Sequence, residues 1–274
     1  MEFSKVFNWW KRSSKYLLLS VYITYIPKDK KLDKKIKNLD ILVFGAHPDD
    51  VELGCAGTIM LHLDLGFSVG IIDLTRGELG TRGNADLRDK ESDKASSLMG
   101  ISYRFNLGFK DGFFENNELN QLEIIKHIRR LKPNIVIANA QEDRHPDHGR
   151  ASNLIKTCCF LSGLSKIETK FENKKQTPWR PKNIYYYSQF NQVRPDFLID
   201  ISSYMQKKID IVKCYSSQFY APKSKEPETV ISKKGFLDSI VYRSSDLGRI
   251  IGVEYAEGFV SERYFSVENL FQLK

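Results

Sequence analysis

"LDILVFGAHPDD" (residues 39–50) joins a continuous apolar run to a histidine and two adjacent aspartates. An unbroken apolar run that ends in glycine is the pattern of a strand buried on both faces, as in parallel sheets. The stretch therefore predicts a central strand. Because neighbouring carboxylates repel each other and are costly to bury, it also raises the question of what Asp49 and Asp50 hold.

Similar segments recur along the rest of the chain. Further strands are predicted at 68–75, 134–140, 182–189 and 196–201. Amphipathic helices are predicted at 57–66, 87–100, 121–133, 149–164 and 202–219. This alternation of strands and helices is typical of the α/β class with a mainly parallel sheet. The 274 residues, 41% of them hydrophobic, suffice for one large core.

Residues 1–37 differ in composition from the remaining chain. They carry ten Lys or Arg against three Asp or Glu, a net charge of +7 out of the formal +8, which leaves about +1 for residues 38–274. The main body is thus nearly neutral and lacks the basic stripe that would indicate nucleic-acid binding. We predict a poorly ordered extension at 1–37 and a single folded domain at 38–274.

The longest apolar run of that extension is Tyr16–Ile26. It is shorter than the ~20 residues that a transmembrane helix needs, so we expect no membrane span. A peripheral membrane anchor built on Trp9 and Trp10 is one alternative reading of the extension, and a cleaved signal peptide is another, although no small-residue cleavage site follows the run. Four cysteines without a CxxC motif indicate a reducing compartment, so we expect a cytoplasmic protein.

Three polar clusters follow predicted strands. The first holds His47 and the two aspartates, the second is the glycine-rich loop 76–86, and the third is "QEDRHPDHG" at 141–149. In open α/β sheets, ligands bind beyond the carboxyl ends of the strands, so these clusters are expected to meet. The two histidines outside these loops, His62 and His127, fall within helical patterns and are interpreted as surface or packed residues.

The donor groups of these clusters predict a metal site. Imidazole and carboxylate ligands without thiolate suit zinc or another first-row divalent ion. A catalytic zinc site takes three protein ligands and keeps a fourth position for water. His47, Asp50 and His148 would supply the three ligands. Asp49 would then be free to act as general base on the water.

A further histidine is available for the other half of a hydrolytic reaction. We predict that His145 stabilises an oxyanion and protonates a leaving nitrogen. Asp147, two residues further along, is predicted to orient His145, because carboxylates often hold functional histidines in this way.

"AHPDDVELGCAGT" (46–58) and "DRHPDHG" (143–149) resemble the LmbE/PIG-L family of zinc-dependent N-acetylglucosaminyl deacetylases. The similarity continues through "GIIDLTRGELGTRG", "NLGFKDGFF" and "DLGRIIGVEYAEGF" and covers roughly residues 38–270. Within the family, the chain is most similar to enzymes that deacetylate N-acetylglucosaminyl-malate (GlcNAc-malate) in bacillithiol biosynthesis. The resemblance implies a Rossmann-like three-layer fold, one zinc per subunit, a small GlcNAc glycoside as substrate, and assembly into a homo-oligomer.

The resemblance also implies roles for individual residues. The implied metal ligands and catalytic residues are those named above: His47, Asp50 and His148 as ligands, Asp49 as base, and His145 with Asp147. Arg180, in "WRPKNIYYY", matches a family arginine near the base, and Arg88, in "ADLRDKE", matches one at the mouth of the site. Some relatives carry a tyrosine that binds the reacting group where this chain has Phe236, which lacks the hydroxyl.

A malate aglycone would bring two carboxylates to the site. Four arginines lie in or beside the predicted loops: Arg76, Arg82, Arg88 and Arg144. Because the guanidinium group binds carboxylates through two parallel hydrogen bonds, we expect Arg82 and Arg88 to bind substrate. Glu78 is expected to bind sugar hydroxyls.

Two other activities within the family stay open, namely amidase activity on bacillithiol S-conjugates and deacetylation of another GlcNAc glycoside or lipid. They require the same chemistry and differ only in the aglycone. A dinucleotide-binding protein is excluded, because "GAHPDD" stands where GxGxxG would follow the first strand.

Overall fold

The computed structural model describes residues 38–191 and 193–272. The expectations for residues 1–37, including the membrane anchor on Trp9 and Trp10, lie outside these ranges. Within the described ranges, none of the helices combines the length and apolar character needed to cross a membrane.

In the part of the chain that the structure describes, nine strands form one large sheet and one short hairpin. In chain order they are β1 (Ile41–Gly45), β2 (Val69–Thr75), β3 (Tyr103–Phe109), β4 (Ile135–Ala138), β5 (Lys170–Phe171), β6 (Lys174–Lys175), β7 (Asn183–Tyr187), β8 (Phe197–Asp200) and β9 (Ala256–Ser261). The large sheet has the order β3-β2-β1-β4-β7-β9-β8, and β5 pairs only with β6. The first five strands of this order run parallel, β9 pairs antiparallel with β7, and β8 pairs antiparallel with β9.

Within the described residues, six α-helices cover the sheet. They are α1 (Asp50–Asp64), α2 (Ala85–Met99), α3 (Glu118–Leu131), α4 (Pro146–Leu161), α5 (Met205–Val212) and α6 (Lys234–Ile251). Helices α1, α2 and α5 contact one another, and α3 contacts α4. Right-handed crossovers between parallel strands place α1 and α2 on one face of the sheet and α3 and α4 on the other. The predicted α/β class with a mainly parallel sheet is confirmed.

The predicted elements differ from the observed ones in several places. Strand β3, helix α6 and strand β9 were not predicted, and helix α1 begins at Asp50 rather than at residue 57. The helix at 202–219 is shorter than predicted, since a 3₁₀ turn at Ser202–Tyr204 precedes α5, which ends at Val212.

Helix α1 packs so closely on the sheet that it needs glycine on its buried side. A Cβ added at Gly54 would lie 2.2 Å from the ring of Tyr187, and one at Gly57 would lie 2.7 Å from Ile201. These contacts fix α1 against β7 and the segment after β8. The N-terminus of α1 is thereby held directly beyond the end of β1.

Strand β1 lies between β2 and β4 in the sheet. From β1 the chain proceeds to β2 on one side and later returns to β4 on the other, so the loops after β1 and β4 diverge and leave a crevice. Such a reversal of strand order is where open α/β sheets bind ligands. In this chain, the loops at that position carry the histidines and aspartates of the two motifs.

Candidate active site

The strand-end loops enclose a cavity of ≈ 530 Å³, within the range of small-molecule sites. Seven of the predicted site residues line it: His47, Asp49, Asp50, Arg82, Arg88, His145 and His148. The wall also includes parts of α6 and of the loop that precedes it. The three polar clusters of the sequence therefore meet at one place, as expected.

Asp49 stands at the N-terminus of α1 with an unusual backbone conformation. Its φ of 116° lies in a region that L-residues with side chains rarely adopt. The Asp49 side chain makes no capping hydrogen bond to the helix and lines the cavity instead. Strained backbone of this kind persists only where the surrounding structure imposes it, and it clusters at functional sites.

Asp50 lies between two histidine rings. Its Oδ2 is 3.4 Å from Nδ1 of His47, and its Oδ1 is 3.1 Å from Nε2 of His148. All three side chains are at most 9% exposed. Two imidazole nitrogens and one carboxylate therefore converge on the cavity.

The opposite nitrogen of each ring is held by a further carboxylate. Nε2 of His47 is 2.9 Å from Oδ1 of Asp111, and Nδ1 of His148 is hydrogen-bonded to Oδ2 of Asp143. Second carboxylates that fix the ring orientation of histidine ligands are a common feature of metal sites. The two rings are thus held with one nitrogen each directed at Asp50.

Two amide side chains orient the carboxylate of Asp50. Nδ2 of Asn139 donates to Oδ2 of Asp50 at 3.0 Å, and Nε2 of Gln189 donates to Oδ1. Asn139 also accepts the backbone N–H of Ala46 through Oδ1 at 2.9 Å, which ties the loop after β1 to the end of β4. Asp50 is therefore fixed in place independently of any ion.

These donors fit a divalent metal ion. The set of two imidazoles and one carboxylate, with orienting carboxylates behind the rings, suits zinc and other first-row ions. His145 also lies close, since one nitrogen each of His47, His145 and His148 are within 4.8 Å of one another. On the other side of His47, one nitrogen of His47 and one oxygen each of Asp111 and Asp147 also lie within 4.8 Å of one another. We favour an ion on the side of His145 and His148. On the other side, Nε2 of His47 is already hydrogen-bonded to Asp111, so Asp111 and Asp147 are explained as groups that hold the His47 ring.

Asp147 lies in a different place from the one predicted for it. Its carboxylate accepts the backbone N–H of Gly112 at 2.9 Å, pairs with Arg150, and lies 3.4 Å from Nε2 of His47. The contact with His145 involves only the Asp147 backbone N–H, which donates to Nδ1 at 3.3 Å. The structure therefore corrects this prediction: Asp147 orients His47 rather than His145.

The charges around the site shift the pKa values of its members. Burial raises the pKa of Asp49 to about 7, although the nearby Arg88 guanidinium opposes this shift. Burial alone would lower the pKa of His47, but Asp111 and the other surrounding carboxylates raise it well above its ordinary value. Burial and the neighbouring histidines lower the pKa of His145 from its ordinary value.

Arg88 and Arg82 both lie in the cavity wall. Nη2 of Arg88 is 4.0 Å from Oδ2 of Asp49. Nη2 of Arg82 donates to Oγ of Ser224 at 2.8 Å, and its buried Nε makes no hydrogen bond in the described chain but lies 3.7 Å from Oε2 of Glu226. Arg76 points away from the cavity, because its guanidinium pairs with Asp86 and Asp89.

Glu78 does not line the cavity. Its Oε1 accepts the backbone N–H of Asp111 at 2.9 Å. This contact holds the segment that carries Asp111 behind His47, so the structure assigns Glu78 a supporting position. The predicted contact of Glu78 with sugar hydroxyls is corrected accordingly.

Arg180 is distant from the candidate site. Its guanidinium stacks on the ring of Phe160 and donates to the Phe160 carbonyl oxygen. Phe160 is twelve residues beyond His148 in α4, so roughly 18 Å of helix separate the two. The catalytic position predicted for Arg180 is therefore wrong within this chain.

Phe236 lines the cavity, and its ring stacks on Phe219 and Phe190 at centroid distances of 5.9 and 6.3 Å. This wall is apolar where the family tyrosine would place a hydroxyl. The histidines outside the motifs lie elsewhere: Nδ1 of His62 bonds the Thr58 carbonyl, and His127 is buried beside Tyr103.

Sequence reasoning missed four residues that hold the site together, namely Asp111, Asn139, Asp143 and Gln189. Each follows the end of a parallel strand by one to five residues. Asn139, Asp143 and Gln189 lie at the ends of predicted strands, where the rule for strand ends could have found them. Asp111 was missed because β3 was missed.

Comparison with known proteins agrees with this geometry. Residues 42–159 match the family model PIG-L, described as GlcNAc-PI de-N-acetylase. An uncharacterized deacetylase of Escherichia coli, YaiS, is 33% identical over 44% of this chain and 70% of its own length. The chain belongs to the PIG-L family of deacetylases, which hydrolyse N-acetyl amide bonds. The resemblance inferred from the two motifs is thereby confirmed.

Two further relatives have more specific names. The diacetylchitobiose deacetylase of Thermococcus kodakarensis is 28% identical over 83% of this chain and 86% of that protein. A probable N-acetyl-alpha-D-glucosaminyl L-malate deacetylase 2 of Bacillus anthracis is 25% identical over 65% of this chain and 81% of that protein. Among solved structures, the conserved protein TT1542 of Thermus thermophilus superimposes with a TM-score of 0.74 at 37% identity, over 84% of this chain and 98% of that one.

Proposed function

We propose that this PIG-L family enzyme removes the N-acetyl group of GlcNAc-malate, giving glucosaminyl-malate and acetate. The observation that carries the proposal is the arrangement around Asp49. A strained backbone directs its carboxylate into the cavity, next to a residue, Asp50, that converges with two imidazoles. We therefore assign ion binding to Asp50 and proton acceptance to Asp49.

The metal is proposed to be one divalent ion, zinc by the donor set, held by His47, Asp50 and His148. When bound, it would supply polarisation of the acetamide carbonyl and a water of lowered pKa. The fixed rings and the oriented carboxylate mean that the protein needs little rearrangement to bind it.

The chain's own groups carry the proton transfers. Asp49 is placed to accept a proton from the attacking water. His145, whose ring centroid is 4.8 Å from that of His47 and 5.1 Å from that of His148, is placed to stabilise the oxyanion and to protonate the leaving nitrogen. Its Nδ1 accepts the backbone N–H of Asp147, so Nε2 is the nitrogen available to the substrate. Arg88 lies beside Asp49 and favours its charged form.

The proposal of a malate aglycone rests on the cations of the cavity. Arg82 and Arg88 lie in its wall and are 6% exposed, and guanidinium groups recognise carboxylates. The relative from Bacillus anthracis is named for this substrate. We therefore retain Arg82 and Arg88 as substrate-binding residues.

A second candidate is deacetylation of N,N'-diacetylchitobiose. It is favoured by the Thermococcus kodakarensis relative, whose match spans more of both chains and is slightly more identical. That substrate carries a second neutral sugar where GlcNAc-malate carries carboxylates. The cavity cations favour the acidic aglycone over the neutral one.

Acetate release distinguishes the candidates. The purified full-length protein is incubated with GlcNAc-malate, N,N'-diacetylchitobiose and a bacillithiol S-conjugate at equal concentrations. We expect GlcNAc-malate to have the highest kcat/KM. A higher kcat/KM for the disaccharide would show that the aglycone is a sugar rather than malate. Cleavage of the S-conjugate alone would show that the enzyme is an amidase.

A further inference from the structure

The cavity has a fourth wall that neither motif contributes. Helix α6 supplies Arg243 to it, next to the apolar residues Val230 and Phe236. A second cavity of ≈ 410 Å³ opens on the outer side of the same residues, and Phe190, Val230, Phe236 and Arg243 line both. Arg243 therefore stands where the inner cavity continues outward.

The Arg243 guanidinium has no hydrogen-bond or ion-pair partner among the described residues. The other cavity arginines are engaged. Arg82 donates to Ser224, Arg88 faces Asp49, and Arg144 stacks on Phe190 at 4.7 Å from the ring centroid. Arg243 thus differs from them in having all of its donors available.

The nearest acidic groups make no direct hydrogen bond or ion pair with Arg243 among the described residues. Asp143 and Glu257 are close enough to act on its charge, but their oxygens serve other donors. Asp143 is bonded to His148 and to the backbone N–H groups of Phe190 and Asn191. Glu257 is likewise occupied, by Lys208 and by backbone N–H groups of α1.

A partly buried guanidinium without a carboxylate is costly, since burial penalises its charge. Burial in fact lowers the pKa of Arg243 from its ordinary value. A ligand carboxylate would supply the missing counter-charge through two parallel hydrogen bonds. The adjacent rings of Phe190 and Phe236 would cover the hydrocarbon part of the same ligand.

The position also suits the geometry of a glycoside substrate. Phe190 follows Gln189, whose amide contacts Asp50. Phe190, which lines both cavities with Arg243, is thus the sequence neighbour of a residue that contacts the predicted ligand Asp50. A sugar whose acetamide lies at Asp49 and Asp50 would extend its aglycone toward α6.

We propose that Arg243 is the specificity-determining residue that binds a carboxylate on the aglycone of the substrate. The inference rests on the proposed deacetylase function and extends it to an outer subsite on α6. It predicts that the enzyme selects acidic aglycones through a residue outside both sequence motifs.

The test compares substrates that share the sugar and differ in the aglycone charge. Acetate release from GlcNAc-malate and from the methyl glycoside of GlcNAc is measured for the wild type, Arg243→Gln and Arg243→Lys. Arg249→Gln is the control, since Arg249 is on the same helix, 72% exposed and paired with Asp246.

We expect Arg243→Gln to raise KM for GlcNAc-malate about tenfold or more, because a charge-assisted hydrogen-bond pair is lost. The KM for the methyl glycoside should change by less than about twofold, since that substrate has no carboxylate to lose. Arg243→Lys should recover part of the difference, and Arg249→Gln should match the wild type. An equal increase of KM for both substrates, or an unchanged KM for GlcNAc-malate, would overturn the assignment.

Failure of the subsite and failure of the proposed function give different results. A wild-type enzyme that deacetylates the methyl glycoside but not GlcNAc-malate keeps deacetylation and overturns the role of Arg243. If no acetate is released from either substrate, the proposed function fails, and calorimetric titration with GlcNAc-malate decides on Arg243. Binding weakened about tenfold in Arg243→Gln would support the subsite; equal or undetectable binding would overturn it.

Discussion

The backbone of Asp49 shows how the site is built at the scale of single residues. Position 49 adopts φ 116°, which sets its carboxylate toward Arg88 rather than toward the helix. Arg88 can reach that position only because residue 77 is glycine. A Cβ at Gly77, where φ is +65°, would lie 1.9 Å from Nη1 of Arg88.

Gly77→Ala is therefore predicted to displace Arg88 from Asp49 and to reduce kcat/KM by about tenfold or more, the effect of losing a charged contact. Gly66→Ala is the matched control, because φ at Gly66 is +87° and a Cβ there would meet nothing within 4 Å. Both changes should cost roughly 1 kcal/mol of backbone strain, measured by urea denaturation. Equal activity losses in the two variants would show that strain alone acts.

Metal binding is tested most simply at His148. His148→Ala removes one nitrogen of the proposed ligand set, and we expect the zinc content of the purified protein to fall well below that of the wild type. His62→Ala is the control, since His62 bonds the Thr58 carbonyl within α1 and does not line the cavity. Zinc content is measured by atomic emission after gel filtration. Unchanged zinc in His148→Ala would remove this residue from the ligand set.

At the scale of elements, α1 is two helical segments joined at Cys55. Cys55 has φ −148° and ψ 24°, outside the helical region. The backbone N–H groups of Gly57 and Thr58 therefore lack partners within the helix and donate to the carboxylate of Glu257 on β9, at 3.0 and 2.7 Å. Glu257 caps the second segment and also pairs with Lys208, both side chains being 2% exposed.

Glu257→Gln is predicted to destabilise the fold by about 3–5 kcal/mol, because it leaves the Lys208 charge buried without a counter-charge. Adding Lys208→Met should recover part of the loss. The free energy of unfolding from denaturant titration of the two single variants and the double variant gives the coupling. The exposed pair Glu168–Lys175 is the control, and its removal should cost less than about 1 kcal/mol. Additive effects at Glu257 and Lys208 would contradict the energetic coupling of this buried ion pair.

Helix α3 contributes a pH-dependent term to stability. Burial lowers the pKa of His127 from 6.5 to about 4, and its ring lies 4.6 Å from that of Phe105. Below pH 6.5 the unfolded chain therefore takes up a proton that the folded protein does not bind until about pH 4. Stability conferred by the neutral ring is present above pH 6.5 and is lost as the pH falls toward 4.

As the pH falls from 6.5 to about 5, protonation of His127 in the unfolded chain should lower the free energy of unfolding of the wild type by roughly 2 kcal/mol. His127→Asn should lack that part of the decrease, although the variant is less stable at neutral pH because packing is lost. Urea denaturation at several pH values measures both. Parallel pH profiles of the two proteins would contradict the buried neutral histidine.

At the scale of the whole molecule, the sequence predicted the features that depend on local pattern. Continuous apolar runs located β1, β2 and β4, and the rule for strand ends brought His47 and His148 into one site. Strand β9 escaped prediction because "AEGFVS" (256–261) contains a buried glutamate. That glutamate is explained only by the break in α1, about two hundred residues earlier in the chain.

The errors at Asp147 and Arg180 have a similar cause. Proximity in sequence suggested that Asp147 supports His145, but the Asp147 carboxylate contacts His47 instead. Local similarity suggested that Arg180 lies at the site. Arg180 instead contacts Phe160, which is at the end of α4 opposite to His148. Which of several nearby groups a side chain contacts depends on the packed helices, and sequence spacing does not determine it.

The central claim is that Asp49 acts on the water while His47, Asp50 and His148 hold the ion. The most direct measurement is acetate release from GlcNAc-malate by the wild type and Asp49→Asn, each assayed with its metal content, after chelation and after zinc is restored. We predict that chelation abolishes wild-type turnover and that zinc restores it. Asp49→Asn should keep the wild-type metal content and lose turnover by a factor on the order of 10²–10⁴. Full turnover in metal-replete Asp49→Asn, or in the chelated wild type, would contradict the claim.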